Sequence, residues 1–150
     1  MRSDSLLPRR LPSARRARHE EWRARGAAPQ ERIPPRRVSV AGEEHHRYCR
    51  IAARLAANHY EVTQRELFAS SVRTRRIARA RHVAMYLAHV AFGVSLGAAA
   101  AAFGRDRKTV AYACRVIEDA RDAPAFDAAL AGLERTARVL LELEREKAAA

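Results

Sequence analysis

Aromatic residues make up only 6% of this 150-residue chain, which also holds just two cysteines, two methionines and six glycines. With 48% apolar residues and abundant alanine, the composition suits a small helical domain with a modest core. Cys49 and Cys114 fall in separate expected helices and are read as buried small apolar residues rather than a disulfide, which suits a reduced cytoplasmic interior. No apolar run approaches the ~20 residues of a membrane span. The Leu6-Leu7 pair is too short for a signal-peptide core, and a transit peptide is an alternative reading of this arginine-rich terminus. Chemistry is equally sparse. There is no Gly-x-x-x-x-Gly-Lys-Ser/Thr stretch to cradle phosphates, no His-Glu-x-x-His, no nucleophile with a motif around it and no carboxylate pair in an apolar setting. His45, His46 and Cys49 share a helical turn without further ligands at zinc spacing. The sequence therefore reads as a non-enzyme with no catalytic residue, cofactor, metal or nucleotide.

Lysine is scarce as well, with only Lys108 and Lys147 among 29 basic residues, so the net charge of +12 is carried by arginine. That charge points to a polyanionic partner. Because richness in alanine and arginine also follows from coding bias, the places where arginine concentrates carry more weight than its number. One is residues 1–40, which hold Pro8, Pro12, Pro29, Pro34 and Pro35 and eleven arginines against four acids. Apolar residues there are too few to close a core, so the segment is expected to be a disordered Arg/Pro-rich arm, with Trp22 its single anchor-like aromatic. The other is Arg73 to Arg81, where Arg73, Arg75, Arg76, Arg79 and Arg81 make five of nine residues.

From Glu43 the apolar spacing turns helical. Tyr48, Ile51, Ala52, Leu55 and Ala56 share one face of a helix over Glu43 to Asn58, and Thr63 with Glu66 forms a capping box before Leu67 and Phe68. Ile77, Ala80, Val83, Ala84, Leu87 and Ala91 mark the next helix. Asp122-Ala123-Pro124 separates a last helix whose stripe is Phe126, Leu130, Leu133, Ala137, Leu140 and Leu141. After Glu142 it is expected to fray, leaving 146–150 as a tail. His82 and His89 read as surface or core histidines.

Between these lies Ser95 to Ile117, which reads as two short helices joined by a tight turn. Ser95 caps the first, Leu96, Ala99, Ala100 and Phe103 space its apolar stripe, and Gly104 supplies the positive φ of a sharp helix stop. In the second, Val110, Cys114 and Ile117 face the core, leaving Asp106, Arg107, Lys108 and Thr109 at the end that a recognition helix pushes into the major groove.

Taken together, the arginine-rich loop, the Ala-Arg-x-Arg-x-x-Ala-Met-Tyr-Leu-Ala helix at Ala78 to Ala88, the Ser-Leu start, Phe103-Gly104 and Arg105-Asp106-x-x-Thr109-Val110 are similar to the C-terminal DNA-binding domain of the bacterial replication initiator DnaA. The resemblance runs roughly from Ile51 to Leu140. It implies an interface of Arg73, Arg75, Arg76, Arg79, Arg81, Ser95, Leu96, Arg105, Asp106, Arg107, Lys108 and Thr109. In that family the arginine matching Arg73 enters the minor groove, and the residues matching Asp106, Arg107 and Lys108 meet base edges or backbone in the major groove. Two departures stand out: one glycine, Gly104, where the family has two, and Arg107-Lys108 in place of His-Thr. The substitution moves contacts from thymine methyls toward charge.

The reading is an all-α small helical bundle containing a helix-turn-helix over 41–145, related to DnaA and lacking its ATPase domain. Its expected partner is double-stranded DNA, its role the regulation of replication initiation, and its location the cytoplasm, on the nucleoid. A module that binds the replication initiator or its regulator, or a transcription regulator, is the alternative.

Overall fold

A computed structural model describes residues 40–69 and 74–150, all within one compact unit. The expected arm through residue 39, and Arg73, lie outside them. The described residues form six helices and no strand: α1 (Val40–Tyr60), α2 (Gln64–Phe68), α3 (Arg75–Tyr86), α4 (Leu96–Phe103), α5 (Arg107–Ala120) and α6 (Pro124–Ala149).

The core sits where α1, α3, α4 and α5 meet. Helix α1 buries Tyr48, Cys49, Ala52, Ala53, Ala56 and Ala57, while Ile51 and Leu55 of the expected face are only half-buried. Its buried face is therefore rotated toward the alanines, whose small side chains let the α3 backbone approach closely. At the end of α1 Glu61 takes φ 53°, and the Val62 amide returns to the Ala57 carbonyl at 3.0 Å. This chain reversal precedes the expected capping box. Glu66 N–H donates to Thr63 Oγ1 at 3.1 Å, and Thr63 N–H donates to Glu66 Oε2 at 2.8 Å.

Helix α3 opens on Thr74, whose hydroxyl accepts the Ile77 amide at 3.3 Å, and buries Ile77, Ala80, Val83, Ala84, Met85 and Tyr86. Its continuation departs from the expected α-helix: Leu87–Ala91 widens into a π-turn. The turn closes through Phe92 and Val94 amides on the Leu87 and Ala88 carbonyls, both at 3.0 Å, with Gly93 at φ 70°. Phe92 is thereby brought against Tyr48, ring centroids 5.5 Å apart.

Helix α6 follows Pro124 at its first turn, where the missing N–H is harmless. It buries Leu130, Glu134 and Ala137, so the expected leucine stripe is interrupted by a carboxylate. Its helical backbone extends to Ala149, with Arg47 to Glu144 at 3.4 Å and Lys147 to Glu144 at 3.0 Å along its last turns.

Candidate nucleic-acid interface

Helix α4 starts where Ser95 accepts the Ala98 amide at 3.1 Å. It stops at Gly104, whose φ of 62° is left-handed. The Arg105 amide then reaches back to the Ala100 carbonyl at 2.9 Å. Two residues on, Asp106 Oδ1 accepts the Thr109 amide at 2.7 Å and opens α5. That amide, helped by the Thr109 side chain and Lys108, holds the Asp106 carboxyl below its ordinary value. Ser95 and Asp106 thus both act as helix caps, and Leu96 is buried. Because Val110, Ala113, Cys114 and Ile117 anchor one face of α5 in the core, its first turn leaves Arg107 and Lys108 exposed and Thr109 half-buried.

Those two cations stand at the positive end of a helix macrodipole with no acidic residue in the first turn. Helix α3 repeats the arrangement with exposed Arg75 and Arg76 and no acid in its first turn. Cations at a helix N-terminus disfavour the free fold slightly, and a bound polyanion reverses the sign.

Of the other expected arginines within the described residues, Arg79, Arg81 and Arg105 are half-buried and turned toward the protein. The Arg79 guanidinium lies over the Phe126 ring at 5.1 Å, and its Nη1 is buried without a hydrogen-bond partner. Arg81 donates from Nε to the Leu67 carbonyl at 2.7 Å and from Nη2 to the Ala69 and Glu66 carbonyls at 2.7 and 3.3 Å. Arg105 Nη2 joins it on the Ala69 carbonyl at 3.4 Å.

The sequence reading missed two exposed residues further along α5. Tyr112, 52% exposed, has the Arg115 guanidinium 5.8 Å from its ring and His82 of α3 edge-on at 5.9 Å. Their signal was the spacing of Lys108, Tyr112 and Arg115, which places them on one helical ridge.

A buried polar knot, equally unforeseen, fixes the far end of α5. Arg121 Nη1 donates to Tyr86 Oη at 2.8 Å and to Glu134 Oε1 at 2.9 Å, while its Nε donates to Asp127 at 2.6 Å. The Tyr86 hydroxyl also lies 2.9 Å from Glu134 and 3.0 Å from Glu118. Burial raises the Tyr86 phenol, and the Glu118 and Glu134 charges add to this. Burial opposes the Arg121 charge, but Tyr86, Asp127 and Glu134 more than offset it and hold the guanidinium above its ordinary value. Cys49 and Cys114 are buried free thiols, each pushed up to about 12 by burial. Among the described residues no three His, Cys, Asp or Glu converge on a metal-sized site, and no helix is long and apolar enough to cross a membrane.

Two helices joined at a left-handed glycine, the second anchored by one face and presenting a cationic first turn, define a helix-turn-helix domain. Residues 52–117 match the family model described as the bacterial dnaA protein helix-turn-helix, so over that stretch the chain is similar to that family. The chromosomal replication initiator protein DnaA of Mesorhizobium japonicum is 48% identical over 67 residues, covering 44% of this chain and 14% of the relative. DnaA 2 of Chlamydia trachomatis is 46% identical over 59 residues, 39% of this chain and 13% of the relative. The chain therefore spans a small fraction of the length of the curated relatives it matches. A crystal structure of a DNA replication initiation factor shares the fold, with a TM-score of 0.63 at 23% identity, over 84% of this chain and 36% of that one.

Proposed function

We propose that this chain binds double-stranded DNA through the first turn of α5 and acts in the control of replication initiation. The observation that carries this reading is the exposed Arg107-Lys108 pair on the second helix of a DnaA-type helix-turn-helix, in a first turn where the one nearby acid, Asp106, is engaged as the helix cap. Arg75 and Arg76 add charge from a second helix N-terminus. In this reading residues 41–145 are the binding module. The arm before it and Arg73 add contacts to phosphate and minor groove. The module is non-enzymatic and works in the cytoplasm, on the nucleoid.

Replacing the family's His-Thr by Arg107-Lys108 favours phosphate and guanine acceptors over thymine methyls, so non-specific affinity is raised and discrimination for the usual initiator box is lowered. The test is a titration of labelled duplexes, one holding an initiator box and one scrambled, across salt. Affinity should fall with a log-log slope on the order of −5 between about 50 and 200 mM salt. R107H/K108T should lower that slope by about 2 and restore preference for the box. A flat salt response overturns DNA binding and favours the alternative, a module that docks on the replication initiator or its regulator. Recovery of bound DNA from cells then asks whether it centres on the replication origin, the result the initiation role requires.

A further inference from the structure

Arg81 and Arg105 come from different elements, α3 and the turn into α5, yet both donate to the carbonyl of Ala69. Ala69 ends α2, a helix of five residues. So short a helix cannot satisfy its own last carbonyls, which need donors from elsewhere. Arg81 supplies them: its fork spans Glu66, Leu67 and Ala69 at 3.3, 2.7 and 2.7 Å. A guanidinium fits this task because its N–H groups diverge in one rigid plane, and its charge suits the negative end of a helix.

The arrangement has an electrostatic cost. Burial, and then the neighbouring Arg105 cation, push the Arg81 guanidinium below its ordinary value. Among the described residues the acceptors of both side chains are all backbone carbonyls. Among the described residues Arg105 makes one long contact, on the Ala69 carbonyl, and its five N–H donors stand beside Asp106 and the exposed Arg107.

We infer that Arg81 is a positioning residue for DNA binding: locked as a strut on the end of α2, it sets through the shared Ala69 carbonyl where Arg105 stands beside the first turn of α5. The inference rests on the DNA-binding reading and refines it. The cation offered to phosphate is Arg105, and Arg81 acts through it. The sequence alone counted the two as equal members of one cationic surface, whereas the geometry makes them dependent.

The test is a double-mutant cycle on the full chain, with a fluorescent duplex of about 20 random base pairs titrated from about 50 to 200 mM salt. R105Q should lower the log-log salt slope by about 0.9, the loss of one phosphate contact. R81Q should lower it by the same amount, because Arg105 is then displaced, and R81Q/R105Q should lose no more than either single variant. Two independent contacts would instead give a loss of about 1.8 in the double variant, which overturns the inference. R81K keeps the charge and removes the fork, so it should behave like R81Q; wild-type binding by R81K overturns the inference as well.

Urea titration establishes that each variant is folded in the assay, and R81K carries the test if R81Q is not. NMR of the Arg81 Nε–H supplies a readout independent of DNA. The 2.7 Å bond should slow its exchange relative to exposed arginines, and fast exchange removes the strut. A wild-type chain that binds no duplex defeats the DNA-binding reading and this role with it. A slow Nε–H would still separate that outcome from failure of the strut.

Discussion

At its N-terminal end α5 carries Arg107 and Lys108 in contact with solvent, and its cap, Asp106, is itself exposed. At its C-terminal end Arg121 is enclosed by Asp127, Tyr86 and Glu134 at 2.6, 2.8 and 2.9 Å. Both ends are rich in charge, but only one has its charges answered inside the protein. The enclosed end ties α5 to α3 and α6, and it is sensitive to single changes because removing one member strands the others in a low-dielectric site. The open end adds little to stability and leaves its donors for a ligand. If the first turn of α5 is the binding turn, as proposed above, separating the two tasks along one helix lets Arg107-Lys108 stand for His-Thr without endangering the fold.

The comparison breaks most readily at the enclosed end. E134A leaves Arg121 and Tyr86 without their shared acceptor and should cost about 3 kcal/mol in urea denaturation, with the salt slope for DNA unchanged. R121M/E134L should be closer to wild type than E134A, since removing both charges strands neither. Equal losses in the two variants would show that shape, not charge, holds this end.

Gly104 sets the angle between the two helices of the motif, and the next largest effect is expected there. An added Cβ meets nothing within 4 Å, so G104A should pay only for the left-handed backbone, about 1 kcal/mol. G104N should lose less, because asparagine tolerates that region better. A larger loss would place the turn in the enclosed, structural class.

Acid titration sharpens the contrast further. Burial, and then Arg79 and Arg81, hold His82 below its ordinary 6.5, so the unfolded chain binds this proton more tightly. Stability from His82 is complete above about pH 6.5 and falls as pH drops through that value toward the lower folded one. H82N should flatten this window. Asp106, held below its ordinary 3.8 by the Thr109 amide, contributes stability that is complete above 3.8 and lost as pH falls through its lower folded value. D106N should remove that second, more acid step and leave the first in place.

The smallest effect on stability belongs to the open end itself. R107Q/K108Q should stay within about 0.5 kcal/mol of wild type while lowering the salt slope by about 2. A clear loss of stability with an unchanged slope would mean that these cations serve the fold.

Most of the helices were legible because their signals are local. The Thr63-Glu66 box, the Ser95 cap, Gly104 and the Val110, Cys114, Ile117 spacing each act within one or two turns, and each appears where the pattern put it. The π-turn at Leu87–Ala91 was not legible, since its residues continue the helical spacing and the features that accompany it, the seating of Phe92 on Tyr48 and the closure at Gly93, lie beyond that run. On α1 the expected Tyr48, Ala52 and Ala56 are buried, but Ile51 and Leu55 give way to Cys49, Ala53 and Ala57 for a related reason: periodicity marks the larger side chains, whereas packing against α3 favours the small ones.

For the interface, sequence determined which residue types cluster and which helix ends carry them, because charge density and capping are properties of short segments. It did not determine what those side chains touch. Arg75, Arg76, Arg79 and Arg81 look alike along the chain; packing exposes the first two, lays Arg79 on Phe126 and commits Arg81 to the carbonyls of α2. Glu134 likewise sits in an apolar stripe as an apparent interruption until Tyr86 and Arg121, 48 and 13 residues away in sequence, meet it in space. A long side chain reaches several ångströms in any direction its rotamers allow. Its partner is therefore fixed only when separate helices close around it, and that closure belongs to the tertiary structure.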